Sequence, residues 1–140
     1  MAGKFGQSET PVAIGTVATT GNADAYIIAP QTGDLVEALF SGVDALAANN
    51  TNYVTFSITN LGQAGAVSTA LLAATDANTT KATGGTALAA NTKRTLTLTT
   101  TNTDRRVVKG DRLRIRVAAT GTLANTVTFS TAMLRFQWSL

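Results

Sequence analysis

Three arginines, Arg112, Arg114 and Arg116, alternate with Leu113, Ile115 and Val117 in the stretch KGDRLRIRVAATGT. Strict period-two alternation marks a strand with one buried face. The guanidiniums therefore share the other face, at intervals of roughly 6.6 Å. A guanidinium is a planar fork that pairs bidentately with carboxylates and phosphates. The remaining residue types narrow what chemistry can accompany it. The 140 residues include no cysteine and no histidine. Disulfides, thiolate nucleophiles and thiolate metal sites are excluded, and the commonest general base and metal ligand are missing. The eight acids, Glu9, Asp24, Asp34, Glu37, Asp44, Asp76, Asp104 and Asp111, stand singly. No close pair suggests an acid/base dyad or a calcium loop. The expectation is a binding or structural protein, not an enzyme, with no cofactor and no metal.

The arginine stripe has three readings. Two like charges about 6.6 Å apart repel by only about 0.6 kcal/mol in water, and by less in salt. A sheet tolerates that, so the stripe can be a solvated face. Alternatively it faces an acidic surface, on another protein or on a neighbouring protomer. Nucleic acid is the third reading: Arg105, Arg106 and Lys109 would add phosphate contacts, and Tyr26 and Tyr53 would stack bases. A net charge of only +3 and the lack of a basic tail weigh against it.

The elements that position these residues read as strands. Thr, Ala, Gly and Asn dominate, a mix of strand formers and turn formers. Charged residues are 14%, against a usual ~25%, which implies surface covered by partners. Strand-like runs fall at 12–19, 23–29, 34–43, 52–59, 66–73, 94–101, 112–118 and 127–138. A change of apolar parity between Phe129 and Leu134 predicts a bulge near residues 130–132. Residues 74–93 form the longest irregular segment, of a length that usually carries function or mobility. Eight short strands with regular turn signals and no convincing helix make an all-β sandwich or barrel, and eight strands in two Greek keys would be a jelly-roll sandwich. Residues 12–140 form that one domain, preceded by a flexible or extended N-terminal arm over 1–11. No apolar segment long enough for a secretory signal or a membrane span is present, so a soluble protein made in a cytoplasm is expected.

Several residues stand out as interface candidates. In DLVEALFSGV, Val36, Ala38 and Phe40 would face the core. Leu35 and Leu39 would then form an exposed apolar strip with Glu37 between them. Such strips mark interfaces. A subunit contact with Glu37 paired to an arginine across it is one reading, and cover by a loop of the same chain is the other. On the arm, Lys4 and Phe5 offer an apolar plug and a charge for anchoring. Trp138 either closes the core or docks on a neighbour.

The C-terminal half also resembles a known family. RTLTLTT, VVKGDRLRIRV, ATGTLANT and VTFSTAMLRF reproduce a series found in short β-sandwich proteins of tailed bacteriophages. The series is a Leu-Thr strand, a Val-x-x-Gly-Asp turn, an alternating strand, a Thr-Gly-Thr loop and a closing strand ending in an aromatic. GGTALAANTKRTL before it fits too. The match covers about the last 60 residues. The resemblance implies a jelly roll of about eight antiparallel strands. It implies a capsid decoration, or cement, protein that forms homotrimers on the outer surface of a phage head and binds the major capsid protein. The alternative within that setting is a head-fibre or tail module that binds host carbohydrate, with Tyr26, Tyr53 and the 74–93 loop as its site. The jelly-roll order would place the runs at 12–19, 127–137, 34–43 and 95–101 in one sheet. The other would hold 23–29, 112–118, 52–59 and 66–73, with Asp24, Tyr26, Tyr53, Thr55 and Ser57 flanking the arginines.

Overall fold

The computed structural model describes residues 6–139. The two expected anchoring residues, Lys4 and Phe5, lie outside that range. Alternation builds one sheet directly. Strands β3 (Asn22–Ile28), β5 (Tyr53–Asn60) and β9 (Arg112–Thr120), with the short β6 (Thr69–Ala70), form an antiparallel sheet in the order β3-β9-β5-β6. Val54, Phe56 and Ile58 point inward beside Leu113, Ile115 and Val117, and all six are buried. In register, Asp24 lies opposite Arg116, Tyr26 opposite Arg114 and Ile28 opposite Arg112. On the other side Ser57 lies opposite Arg116 as expected, but Thr59 lies opposite Arg114, and Tyr53 and Thr55 lie opposite Thr120 and Ala118 rather than beside the arginines.

The second layer has the order β1-β10-β4-β7, from β1 (Gln7–Val12), β10 (Val127–Trp138), β4 (Gly33–Gly42) and β7 (Thr92–Thr95). β2 (Gly15–Val17) continues β1 along β10, after a break closed by Gly15 at φ +95°. β8 (Arg106–Val107) is a two-residue addition on β4. With β1 and β2 counted as one broken strand, the two sheets have the strand order of a jelly roll, as the runs in the sequence predicted. Phe40 and Phe129 from this sheet meet Phe56 from the other, with ring centroids 5.1–5.9 Å apart. Burying each such ring is worth about 1.5–3 kcal/mol.

Four expectations need correction. Residues 7–11 are not a free arm but the edge strand of the first sheet, paired with β10 from Gln7 opposite Gln137 to Val12 opposite Ala132. Ser8, Thr10 and Val12 alternate toward the sandwich, and Pro11 is tolerated because the strand is an edge. Leu35 is not on an outer strip. β4 and β10 lose register twice, once between Phe129 and Thr131, where a bulge was expected, and again between Arg135 and Phe136. At the second shift Glu37 faces Arg135 and Leu35 faces Phe136, which leaves Val36 as the extra residue. The bulge swaps parity. Leu35 drops into the core at 0% exposure with Ala38 and Phe40, while Val36, Glu37 and Leu39 sit half-buried outside. The run at 66–73 is a regular strand only over Thr69–Ala70; beyond it Leu71 makes one bond to Ile58 and Leu72 turns to bridge Leu98, both side chains buried, so the alternation breaks. The run at 94–101 pairs earlier, over Thr92–Thr95.

Candidate binding surface

The turn that leads into β9 is built from buried polar groups. Asp111 is buried, and one carboxylate oxygen accepts from the Asn60 side-chain amide at 2.9 Å and from the Val108 N–H at 2.8 Å. The Asn60 side-chain oxygen in turn accepts from the Gly62 N–H at 2.8 Å. Gly110 takes φ +93°, a conformation that favours glycine. Backbone bonds then knit three loops together. Gly110 donates to Ala29, Ala29 donates to the Asp111 carbonyl, and Arg112 donates to Gly62, at 2.8–3.1 Å. The start of the arginine stripe is therefore a rigid corner of the sandwich.

The stripe divides along its length. Arg116 is closed: its Nε and Nη2 donate to the two Asp24 carboxylate oxygens at 2.6 and 2.7 Å. Hydrogen bonds from Arg116 hold the Asp24 carboxyl below the usual carboxylate range, against an opposing effect of burial and with help from the charges of Arg116 and Arg114. Asp24 likewise raises the Arg116 guanidinium. Arg112 and Arg114 have no carboxylate within 4.0 Å among the described residues. Arg114 Nε is buried and has no hydrogen-bond partner among the described residues. Arg112 is exposed and lies 5.4 Å over the Tyr26 ring.

Exposed apolar groups gather at the same corner. Tyr26 is 52% exposed, Ile28 67%, Val108 49% and Val67 48%. Ile28 faces Arg112 across the sheet, Val108 lies in the turn before it, and Val67 donates its N–H to Leu61, whose own N–H donates to the Arg112 carbonyl. Among the described residues the remaining exposed large apolar one, Val43, bonds to Thr128 at the opposite end of the sandwich. Ile28, Val67 and Val108 escaped the sequence reading because single apolar residues beside turns look the same as core residues.

The other candidates separate from this corner. Glu37 bonds Arg135 of its own sheet at 2.5 Å, so its partner is cross-strand rather than across a subunit contact. Leu39 is half-buried on that outer face, opposite Met133. Trp138 is buried and stacks on Phe136 with centroids 4.7 Å apart, and its indole N–H donates to the Ser8 hydroxyl. It closes the core and ties β1 to β10.

The 74–93 segment is irregular in shape but firmly held. Asn78, 1% exposed, donates to the Ala73 and Thr97 carbonyls at 2.9 and 2.8 Å and accepts from the Thr97 N–H at 2.8 Å. Arg94 donates to the Ala77 and Thr79 carbonyls at 2.8 and 2.7 Å, and its guanidinium lies 5.2 Å over the Phe56 ring. Burial lowers the pKa of Arg94 below its ordinary value. Arg94 carries no signal of type or spacing, and Asn78 stands out in the sequence only as the start of an N-x-Thr triplet of the kind a Thr-rich chain produces by chance. Among the described residues, no three acids, histidines or cysteines come together as metal ligands.

No family model matches the chain, and comparison with curated proteins finds no match. Among solved structures, the chain is similar to a xylan-binding module, CBM15, at 12% identity and a TM-score of 0.48, covering 96% of this chain and 100% of that one.

Proposed function

We propose that this chain is a phage virion structural protein, a jelly-roll decoration protein that trimerises and attaches to the outer surface of the head. The observation that carries the reading is the corner around Arg112. There, four exposed apolar side chains and two arginines that have no acidic partner among the described residues gather around the Val-x-x-Gly-Asp turn that resembles the phage family. Exposed apolar patches with polar rims are sites of protein–protein contact. Arginine without an acid of its own chain supplies the rim with a demand for carboxylates from a partner. The partner in this reading is the major capsid protein. Each attachment is modest, and three linked copies multiply it, because the second and third contacts form at high effective concentration. Stabilisation of the shell follows from bridging neighbouring capsomers.

The test is co-sedimentation of the purified chain with heads that lack it. The wild type is expected to pellet with the heads, and Ile28→Asp to stay in the supernatant while keeping a native thermal transition. Light scattering is expected to give three times the chain mass of 14.4 kDa. A wild-type chain that stays in the supernatant would remove the capsid reading.

A further inference from the structure

A cleft of about 310 Å³ opens on the outer face of the β3-β9-β5-β6 sheet, away from the Arg112 corner. That volume lies at the low end of small-ligand sites, about 300–1,000 Å³. Its floor is the outward row of β5, Tyr53, Thr55 and Ser57, and its wall is the segment from Leu72 to Lys81. The Asn78 bonds hold that wall in place, so the cleft is preformed.

The β ladder has a gap here. Leu71 N–H donates to the Ile58 carbonyl at 2.9 Å, and Thr80 N–H donates to the Val54 carbonyl at 3.0 Å. On an antiparallel edge, alternate residues direct their backbone groups the same way. The Phe56 carbonyl and the Ile58 N–H, between those two bonds, therefore face the wall segment. Among the described residues neither has a partner on that side. Phe56 and Ile58 both line the cleft. An open acceptor and an open donor are thus presented side by side, with the ladder closed above and below. A partner strand needs a longer free edge than this.

The charges nearby cancel. Lys81 bonds Asp76 at 2.8 Å and sits 5.0 Å over the Tyr53 ring, and Arg116 next to Ser57 is closed by Asp24. Among the described residues an anionic ligand finds no free cation there. What remains is small hydrocarbon from Ala70, Ala73 and Ala74, one aromatic ring, several hydroxyls and the open backbone pair. A sugar ring has the matching surface, with apolar C–H faces and edges of hydroxyls that both donate and accept. We infer that this cleft binds a neutral saccharide, with Tyr53 as the apolar contact and the Phe56 carbonyl and Ile58 N–H as the hydrogen-bonding pair.

The inference is independent of the capsid reading, and its test separates the two. The full chain is titrated by calorimetry and by amide chemical shifts with neutral hexasaccharides of glucose, xylose and galactose, and with an oligogalacturonate as the anionic control. At least one neutral hexasaccharide is expected to bind saturably, with a dissociation constant below about 1 mM, shifting the Phe56 and Ile58 amides. Tyr53→Ala is expected to weaken that binding by about tenfold or more. Ser57→Gln, which lengthens an outward side chain into the cleft without touching the core, is expected to do the same and serves if Tyr53→Ala does not fold. Head co-sedimentation should be unchanged in both variants. Absence of binding by every neutral hexasaccharide, preference for the anionic control, or undiminished affinity in Ser57→Gln would overturn the inference.

Discussion

Both sheets carry, on their outer faces, an arginine bonded across strands to a carboxylate: Arg135 to Glu37 on one, Arg116 to Asp24 on the other. The two faces differ in what surrounds the pair. On the first, Leu39 and Met133 lie half-buried beside it and the acid and base are matched. On the second, the pair is followed along β9 by Arg114 and Arg112, unmatched, and by Tyr26 and Ile28, more than half exposed. A surface ion pair contributes little to stability in either place, about 0–1 kcal/mol. The difference lies in the leftover charge and leftover apolar area, and these make the second face the one suited to a partner. The comparison also shows that an apolar residue in an outer run is not thereby an interface residue, since Leu35 and Leu39 on one strand have opposite fates.

That pair gives the largest predicted effect. Leu35→Asp places a carboxylate in a site with 0% exposure, and should cost at least about 4 kcal/mol, visible as loss of the cooperative denaturation transition. Leu39→Asp on the same strand should cost less than about 1 kcal/mol. Equal losses in the two variants would mean that the bulge at Val36 is misplaced. Next in size is Asn78→Ala, which strands the Ala73 carbonyl and the Thr97 N–H, while the Thr97 carbonyl keeps its bond from the Ala73 N–H, and should cost about 1–3 kcal/mol in urea titration. A neutral result would show that the cleft wall is held by something other than Asn78.

The pH dependence follows from Asp24. Its folded-state pKa is depressed, so the stability it contributes is present above the unfolded carboxylate pKa and is lost as pH falls through the lower, folded value. Asp24→Asn should therefore be less stable than wild type at pH 7, by under about 1 kcal/mol. The gap should close on acidification below the ordinary carboxylate range. A gap that persists at the acid end would show that the Arg116 bond is not its source. The smallest stability effect belongs to the double variant Arg112→Gln with Arg114→Gln, within about 0.5 kcal/mol of wild type. The same variant should nonetheless weaken head binding and flatten its salt dependence. Unchanged binding would return the stripe to a merely solvated face.

Much of this architecture is legible in the chain because period-two alternation carries it. Leu113, Ile115 and Val117 announce β9, and Val54, Phe56 and Ile58 announce β5. With the jelly-roll order, those runs place Asp24 and Tyr26 beside the arginines, where they are found. The parity change between Phe129 and Leu134 reveals one bulge. The bulge in β4 is silent because Leu35, Val36 and Leu39 are all apolar, so a change of face leaves no mark in the pattern. Edge strand β1 is silent for the opposite reason: Gln7, Ser8, Glu9 and Thr10 look like any polar terminus. Of the candidate surface, the arginines are visible as a stripe, but their division into one closed and two open is set by a partner 92 residues away in sequence. The ladder gap at Phe56 and Ile58 has no sequence signature, since it is made by what the irregular segment after β6 leaves unbonded.

The central claim, that this chain decorates a phage head, is tested most directly by its copy number in purified virions relative to the major capsid protein, measured by quantitative mass spectrometry. The account predicts a copy number comparable to that of the shell subunit. A handful of copies per particle, or none, would contradict it.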